Sequence, residues 1–138
     1  MPYFTEKRIY YELEDLTKSK ITNSYIKSDN FHIIKIQNFH SLFEFYLDEN
    51  YPFSPPTKVL CNNKDLSKCN NQEYYCYACQ SYLCGNNWSP TLRMINVIDD
   101  YIYKLHESKI LHFVSLILKR KQIDLPIELK QHICSFIF

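Results

Sequence analysis

Glycine is nearly absent from this sequence: Gly85 is the only one in 138 residues. Turns must therefore be made by other residues that tolerate a left-handed backbone, and Asn is the most suitable of these. We predict a turn at each of the three Asn pairs. These pairs are Asn62-Asn63, Asn70-Asn71 and Asn86-Asn87.

A long apolar run is also missing. The longest apolar stretch, residues 110–118, is interrupted by His112 and Ser115 and is too short to span a bilayer. The first residues carry charges and lack the apolar core of a secretory signal. We therefore expect an intracellular protein that does not cross a membrane. In that setting the six cysteines are expected to be free thiols, metal ligands or a nucleophile rather than disulfides.

Neither sign of charge is in excess. Sixteen Lys and Arg residues balance fifteen Asp and Glu residues, which gives a formal net charge of +1. Proteins that bind nucleic acids or membrane surfaces usually carry a basic excess, so we expect neither partner. The length fits a single domain, residues 1–138. The five histidines are scattered, and we expect structural or surface roles for them.

The apolar periodicity predicts an α+β fold that begins with a helix. This first helix is predicted over residues 6–17, with Thr5 as its cap and with Ile9, Leu13 and Leu16 on its buried face. Polar turns separate alternating runs, which favours an antiparallel meander. The predicted strands are residues 21–27, 31–38, 42–47 and 57–61.

Helices are predicted for the last third of the chain. Ser89-Pro90 is typical of a helix start, and we expect about four helical turns after it. Further helices are expected from near Ser108 and from around Pro126. The helix after Ser89-Pro90 is expected to carry one apolar stripe of Leu92, Ile95, Ile98, Ile102 and Leu105. The next helix brings Ile110, Phe113, Val114 and Ile117 together, and the last is expected to face Leu125, Leu129, Ile133 and Phe136 inward.

Residues 69–90 differ in composition from the rest of the chain, because they contain the only tryptophan, the only glycine and the only alanine. They also contain four cysteines: Cys69, Cys76, Cys79 and Cys84. Four thiolates suit tetrahedral zinc, although only one pair has the Cys-x-x-Cys spacing. The cysteines can also be interpreted as a nucleophile with its neighbours, or as buried free thiols. All three interpretations stay open on the residues alone.

Three segments of the sequence resemble the ubiquitin-conjugating enzymes and their UBC-like relatives. Residues 7–16 read Lys-Arg-Ile-Tyr-Tyr-Glu-Leu-Glu-Asp-Leu, residues 51–56 read Tyr-Pro-Phe-Ser-Pro-Pro, and residues 88–90 read Trp-Ser-Pro. They occur in the order of the family, with strand-like runs between the first two. The resemblance is strongest over residues 4–105, whereas residues 106–138 diverge.

The resemblance implies a fold and an activity. The fold is an N-terminal helix, a four-stranded antiparallel meander, a Cys-rich loop of the active-site type and C-terminal helices. The activity is to accept ubiquitin or a ubiquitin-like protein from an activating enzyme as a thioester, and to pass it to a lysine amine with a ubiquitin ligase as partner. No cofactor is required. The alternative is an inactive UBC-like binding module, with a structural zinc as an option in the cysteine cluster.

The resemblance also implies site residues. The family carries its nucleophilic cysteine shortly before the Trp-Ser-Pro segment, with an oxyanion-supporting Asn about eight residues earlier. Cys79 with Asn71 fits this spacing best. The His-Pro that precedes the family's Asn is replaced here by Cys69-Asn70, and the family's glycine-rich hairpin is missing. A docking face for the activating enzyme and ligases is implied at Lys7, Arg8, Phe53, Pro90 and Thr91.

Overall fold

The computed structural model describes residues 2–38, 40–67, 81–121 and 126–135. Within them, the chain has an α+β fold in which one helix precedes an antiparallel sheet and two helices follow it. The sheet order is β1-β2-β3-β4-β5, so the predicted class is confirmed with five strands in place of four. The elements are α1 Pro2–Lys18, β1 Thr22–Lys27, β2 His32–Asn38, β3 Ser41–Leu47, β4 Lys58–Cys61, β5 Lys64–Asp65, α2 Met94–Arg120 and α3 Ile127–Ser135.

The first helix, α1, has the predicted buried face. Ile9 and Leu16 lie in the core, and Leu13 packs against it. The prediction that Thr5 caps this helix is wrong, because the helix begins at Pro2. The Thr5 hydroxyl instead lies within 2.9 Å of the carbonyl oxygen of Glu49 and within 2.8 Å of that of Tyr51. It thereby joins α1 to the segment that follows β3.

The C-terminal end of α1 is closed without a glycine. The N–H of Ile21 donates to the Leu16 carbonyl at 2.9 Å, and that of Lys20 donates to the Thr17 carbonyl at 3.0 Å. These two bonds make a Schellman motif. Lys20 occupies its left-handed position with φ 61°, where most helices of this kind have glycine.

The meander follows the alternation of the sequence. Ile34 pairs with Phe45, and Ile36 pairs with Phe43. These four side chains are fully buried, whereas Glu44 between them faces the other side of the sheet and is half-buried. Period-two alternation puts the apolar residues of β2 and β3 on one face. That face forms the core together with α1 and the first part of α2.

The fifth strand was not predicted, although the turn before it was. Asn62 and Asn63 both have a left-handed backbone, with φ 50° and 70°, as a two-residue hairpin turn requires. The turn reverses the chain so that Lys64 pairs with Cys61. A two-residue strand has no periodicity that the sequence can show. The Asn86-Asn87 turn is also confirmed, while Asn70-Asn71 lies outside the described residues.

The helix predicted to begin at Ser89-Pro90 begins four residues later, at Met94. A turn precedes it, in which the Leu92 N–H donates to the Ser89 carbonyl at 2.9 Å. The N–H of Met94 then donates to a carboxylate oxygen of Glu12 at 2.7 Å. The partner that satisfies the first helical N–H therefore comes from α1, and no local sequence signal announces it.

The two helices predicted over residues 90–105 and from Ser108 are one helix, α2, of 27 residues. Its first part supplies Met94, Val97, Ile98 and Tyr101 to the core, and Leu111 is the one buried residue beyond Tyr101. The prediction that Leu129 faces inward is wrong, because this side chain is exposed. Four residues of the other two apolar sets are exposed as well: Ile102, Leu105, Phe113 and Ile117.

The short helix α3 packs back against α2 and begins next to Pro126, as predicted. Leu125 and Phe136, and the side chain of Ile133, lie outside the described residues. No helix in the described ranges is long and apolar enough to cross a membrane.

Candidate functional site

The carboxylate of Glu12 joins the first two segments that carry the family resemblance to the start of α2. Its side chain is 3% exposed. One oxygen accepts the Met94 N–H at 2.7 Å, and the other accepts the Tyr51 hydroxyl at 2.5 Å and the Arg8 Nε–H at 3.0 Å. Arg8 also donates to the Leu92 carbonyl at 2.7 Å. Residues of α1, of the Pro-rich segment and of the chain after Trp88 thus meet at one buried carboxylate.

Burial dominates the electrostatics of this junction. It raises the pKa of Glu12 above the usual carboxyl range, even though the Tyr51 hydroxyl, the Met94 N–H and Arg8 all favour the charged form. Burial likewise raises the pKa of Tyr51, and the neighbouring carboxylate adds to the effect. Tyr51 is therefore a hydrogen-bond donor at every ordinary pH. The junction serves to position segments and offers no acid or base that a substrate could reach.

A second contact fastens the Pro-rich segment to the Trp-Ser-Pro segment. The indole Nε1–H of Trp88 donates to the carbonyl oxygen of Pro52 at 2.7 Å. The Trp88 ring also lies 6.0 Å from the ring of Tyr51, centroid to centroid. These contacts hold residues 51 and 52 against Trp88, which is far from them in the sequence. Phe53, next to Pro52, is thereby held at the surface.

Among the described residues, Phe53 is the most exposed of the large hydrophobic side chains. Its side chain is 66% exposed and stacks on the ring of Phe4, itself 49% exposed, with the centroids 5.5 Å apart. Lys7, one helical turn after Phe4, is exposed on α1. Two exposed aromatic rings beside a cation are typical of a protein-binding surface. The structure therefore places Phe53 at the surface, which excludes the alternative that it is a core residue.

The other residues implied as docking residues are Arg8, Pro90 and Thr91. Pro90 and Thr91 are exposed in the turn before α2, where the Thr91 hydroxyl lies 3.0 Å from the Ser89 hydroxyl. Arg8 is half-buried and uses its guanidinium within the protein, on Glu12 and Leu92. It positions the turn that carries Pro90 and Thr91. The name docking surface refers to the role that the resemblance implies, and it is used below for Phe4, Lys7, Phe53, Pro90 and Thr91.

Both residues implied as catalytic, Cys79 and Asn71, lie outside the described residues, as do Cys69 and Cys76. The described part of the chain resumes at Ser81. Ser81 is buried, and its carbonyl accepts the Asn87 side-chain amide at 3.0 Å. Cys84, half-buried, lies in the turn between these two residues. Residues 81–87 thus form an internally hydrogen-bonded turn that leads directly to Trp88.

Among residues 2–38, 40–67, 81–121 and 126–135, no three His, Cys, Asp or Glu side chains are grouped to hold a metal ion. Three of the four cysteines of the zinc alternative lie beyond these ranges. Cys61, on β4, is buried, and burial raises the pKa of its thiol. Its low thiolate content makes it a poor ligand and a poor nucleophile.

The one fully buried histidine has a structural role. The Tyr25 hydroxyl lies 2.5 Å from Nδ1 of His32, and a Glu49 carboxylate oxygen lies 3.0 Å from Nε2. Both ring nitrogens are thus satisfied, as buried polar groups require. Burial raises the pKa of Tyr25, so this hydroxyl is not an activated nucleophile.

Sequence reasoning missed Glu12 as the residue that organises the site. A signal was present, because Glu12 lies between Ile9 and Leu16 on the buried face of α1. A carboxylate among core residues needs partners. Which partners it has could not be read from the sequence, since Tyr51 and Met94 are 39 and 82 residues away.

No family model, no curated protein and no solved structure matches this chain. The family resemblance therefore depends on the three sequence segments alone. The structure adds that these segments contact one another around Glu12 and Trp88.

Proposed function

We propose that the chain is a ubiquitin-conjugating-enzyme-like protein. The docking surface would receive the activating enzyme and then a ligase, and a cysteine of the neighbouring loop would carry ubiquitin or a ubiquitin-like protein. The proposal rests on how the three family-like segments contact one another. The first and second meet at the Glu12 carboxylate through Tyr51, and the second and third meet through the hydrogen bond from Trp88 to Pro52. Lys7 of the first segment and Phe53 of the second are exposed.

The proposed chemistry is acyl transfer through Cys79. Its thiolate would attack the thioester carbonyl that links the ubiquitin C-terminus to a cysteine of the activating enzyme. A new sulfur–carbon bond forms, and the thiolate of the activating enzyme leaves and takes up a proton. A lysine amine then attacks the same carbonyl, so that an isopeptide bond forms and the Cys79 thiol is regenerated. Asn71 would donate its side-chain N–H to the oxyanion in both steps.

An adduct assay tests the chemistry. The protein is incubated with activating enzyme, ubiquitin and ATP, and a thiol-sensitive adduct of one ubiquitin is expected on electrophoresis. The Cys79→Ser variant should lose this adduct or retain it as a thiol-resistant ester, while the matched Cys84→Ser variant should keep it. Absence of any adduct with several activating enzymes and ubiquitin-like proteins would overturn the enzymatic proposal. A thioester persisting in Cys79→Ser would place the nucleophile elsewhere.

A binding assay tests the docking surface. Because Phe53 is mostly exposed, Phe53→Ala should leave the free energy of unfolding almost unchanged and weaken binding to the activating enzyme about tenfold or more. Phe113→Ala is the matched control, since this phenylalanine is 63% exposed on α2. Equal binding by wild-type protein and Phe53→Ala would refute the assignment of this surface.

The alternative function is an inactive UBC-like module that binds partners without forming a thioester. It is favoured by the replacement of His-Pro by Cys69-Asn70 and by the four clustered cysteines. In this case binding of the activating enzyme or a ligase would still be weakened in Phe53→Ala, but the adduct assay would show no ubiquitin thioester. Native metal analysis would then give one equivalent of zinc, lost in Cys79→Ser and in Cys84→Ser alike.

A further inference from the structure

The hydrogen bonds of the Glu12 carboxylate fit its ionised form. One oxygen accepts the Met94 N–H, and the other accepts the Tyr51 hydroxyl and the Arg8 Nε–H. An ionised carboxylate only accepts, whereas a protonated carboxyl carries an O–H donor on one of its two oxygens. A proton on the first oxygen would oppose the Met94 N–H, and a proton on the second would oppose Tyr51 and Arg8. Proton uptake at Glu12 therefore disrupts at least one of these contacts.

Arg8 is the partner that can move away. The Met94 N–H belongs to the first turn of α2, and Tyr51 is 1% exposed, so both are held in place. The Tyr51 hydroxyl can also accept from a protonated oxygen, because a hydroxyl both donates and accepts. The Arg8 side chain is 21% exposed and can turn its guanidinium to water. As the charged partner it loses the most attraction when the carboxylate becomes neutral, so protonation of Glu12 is expected to release Arg8.

Arg8 also links this junction to the turn before α2. A second nitrogen of its guanidinium donates to the Leu92 carbonyl at 2.7 Å. Leu92 closes the turn, since its own N–H donates to the Ser89 carbonyl at 2.9 Å. Pro90 and Thr91 lie between these two residues and are exposed. A guanidinium that leaves the carboxylate therefore withdraws a contact from the turn that carries part of the docking surface.

A cleft of about 340 Å³ between α1 and the start of α2 gives protons access to Glu12, which lines it. Asp15, Lys18 and Arg93 line the same cleft, and their side chains are at least half exposed. Arg93 pairs with Asp15 and Lys18 pairs with Glu14, so these charges largely compensate one another. Burial raises the pKa of Glu12 above its ordinary value, which means that loss of the buried charge outweighs the contacts that protonation gives up.

We propose that Glu12 is a proton switch whose protonation releases Arg8 and loosens the turn that carries Pro90 and Thr91. The ionised form fastens this turn to α1 through the guanidinium. The neutral form leaves the turn less constrained, while α1, Tyr51 and the start of α2 stay in place. One side of the docking surface is thereby coupled to pH. The switch depends neither on thioester chemistry nor on the identity of any partner.

An NMR titration of the isotope-labelled full chain from pH 8 to pH 4 tests the switch. The side-chain carboxyl carbon of Glu12 reports its own protonation, the Met94 amide reports the junction, and the Thr91 amide reports the turn. All three signals are expected to shift with one common midpoint, which lies above the ordinary carboxyl value of 4.5. The amide of Asn62, in the turn after β4, is the control and should not follow this midpoint.

Three variants make the test specific. Glu12→Gln should abolish the step at both amides and hold Thr91 near its low-pH position. Arg8→Gln should retain the Met94 step, with its midpoint moved to higher pH because Arg8 favours the charged form of Glu12, and should lose the Thr91 step. Lys18→Gln, which removes an exposed cation of the same helix, should keep both steps. Thermal unfolding verifies that each variant is folded.

Four results would overturn the proposal. Glu12 could stay ionised down to pH 4.5 or stay protonated up to pH 8, and either result means that no switch operates. A Thr91 step that persists in Glu12→Gln would assign the titration to another group. A Met94 step without a Thr91 step in the wild-type protein would confine the change to the junction. A Thr91 step retained in Arg8→Gln would mean that Arg8 does not carry the coupling.

Discussion

The carboxylate of Glu12 accepts the backbone N–H of Met94 at 2.7 Å, across 82 residues of sequence. A buried acidic side chain of one helix thus satisfies the first N–H of another, at the end where the helix dipole favours negative charge. The bond joins the start of α2 to α1, and Arg8 donates to the Leu92 carbonyl next to it. The turn that carries Pro90 and Thr91 is thereby attached to α1.

Removal of the carboxylate should be among the most destabilising single changes in the chain. Glu12→Ala leaves the Met94 N–H and the Tyr51 hydroxyl without their acceptor and Arg8 without its counter-charge. We expect the free energy of unfolding to fall by about 3 kcal/mol. Urea unfolding followed by circular dichroism, with an unchanged denaturant slope, measures this loss.

Glu14→Ala is the matched control for that change. Glu14 belongs to the same helix and pairs with Lys18 at 3.2 Å, but both side chains are mostly exposed. Its loss should cost less than about 0.5 kcal/mol. Similar losses in the two variants would contradict the role assigned to Glu12.

The raised pKa of Glu12 predicts a pH dependence of stability. The native state holds its proton more tightly than the unfolded state, whose carboxyl has the ordinary pKa of 4.5. This tighter proton binding stabilises the native state fully below pH 4.5, and the stabilisation is lost as the pH rises through the raised native pKa of Glu12. Glu12→Gln imitates the protonated form and should lack this loss. We expect the stability of wild-type protein relative to Glu12→Gln to decrease with rising pH, measured by urea unfolding at a series of pH values.

Burial raises the pKa of Asp99 too, so Asp99 also makes the protein less stable as the pH rises. Asp99 is present in both the wild-type protein and Glu12→Gln, so its contribution cancels in the difference between their free energies of unfolding. If the wild-type protein instead became more stable relative to Glu12→Gln as the pH rises, the hydrogen bonds to Glu12 would lower its pKa by more than burial raises it.

Lys20→Gly should stabilise the protein. Lys20 has φ 61° in the Schellman motif after α1, a conformation that costs a residue with a side chain more than it costs glycine. The expected gain is about 1 kcal/mol, which corresponds to a melting temperature higher by about 3 °C. Differential scanning calorimetry measures the shift. Ser19→Gly, one residue earlier at a position without positive φ, should give no such gain.

Cys61 and Cys84 should differ in reactivity. Cys61 is buried, with the pKa of its thiol raised, whereas Cys84 is half-buried. Alkylation with iodoacetamide at pH 7.5, followed by peptide mass spectrometry, should label Cys61 at least about tenfold more slowly than Cys84. In strong urea both should react alike. Fast labelling of Cys61 in the folded protein would mean that β4 opens far more readily than its place in the core suggests.

Much of the fold was predictable because its elements are periodic. The spacing of Ile9, Leu13 and Leu16 identified α1 and its buried face, and alternation at Phe43, Phe45 and Leu47 identified the strand and its inner side. Period and polar turns are local properties, so one sequence suffices to show them. The turn at Asn62-Asn63 was predictable for the same reason.

The rest depends on contacts between distant residues. The start of α2 was misplaced because its first N–H is satisfied by Glu12 rather than by a local cap. Two helices were expected where α2 is continuous. Apolar residues of an amphipathic helix usually form one buried stripe, but Phe113 and Leu116 in the second half of α2 are exposed, so the apolar pattern does not continue along the whole helix. At the site, Phe53, Lys7, Pro90 and Thr91 were implied by the resemblance, and the structure exposes all four. The junction beneath them was not foreseen.

The hydrogen bond from Trp88 to Pro52 has a practical consequence. Trp88 is the only tryptophan in the chain, and its indole lies half-buried next to the segment that carries Phe53. Its emission spectrum is therefore an intrinsic optical reporter of that one location. Release of the Pro-rich segment would shift the emission to longer wavelength, and a partner that seals the junction from water would shift it to shorter wavelength. Engagement of this surface can thus be followed in unlabelled protein.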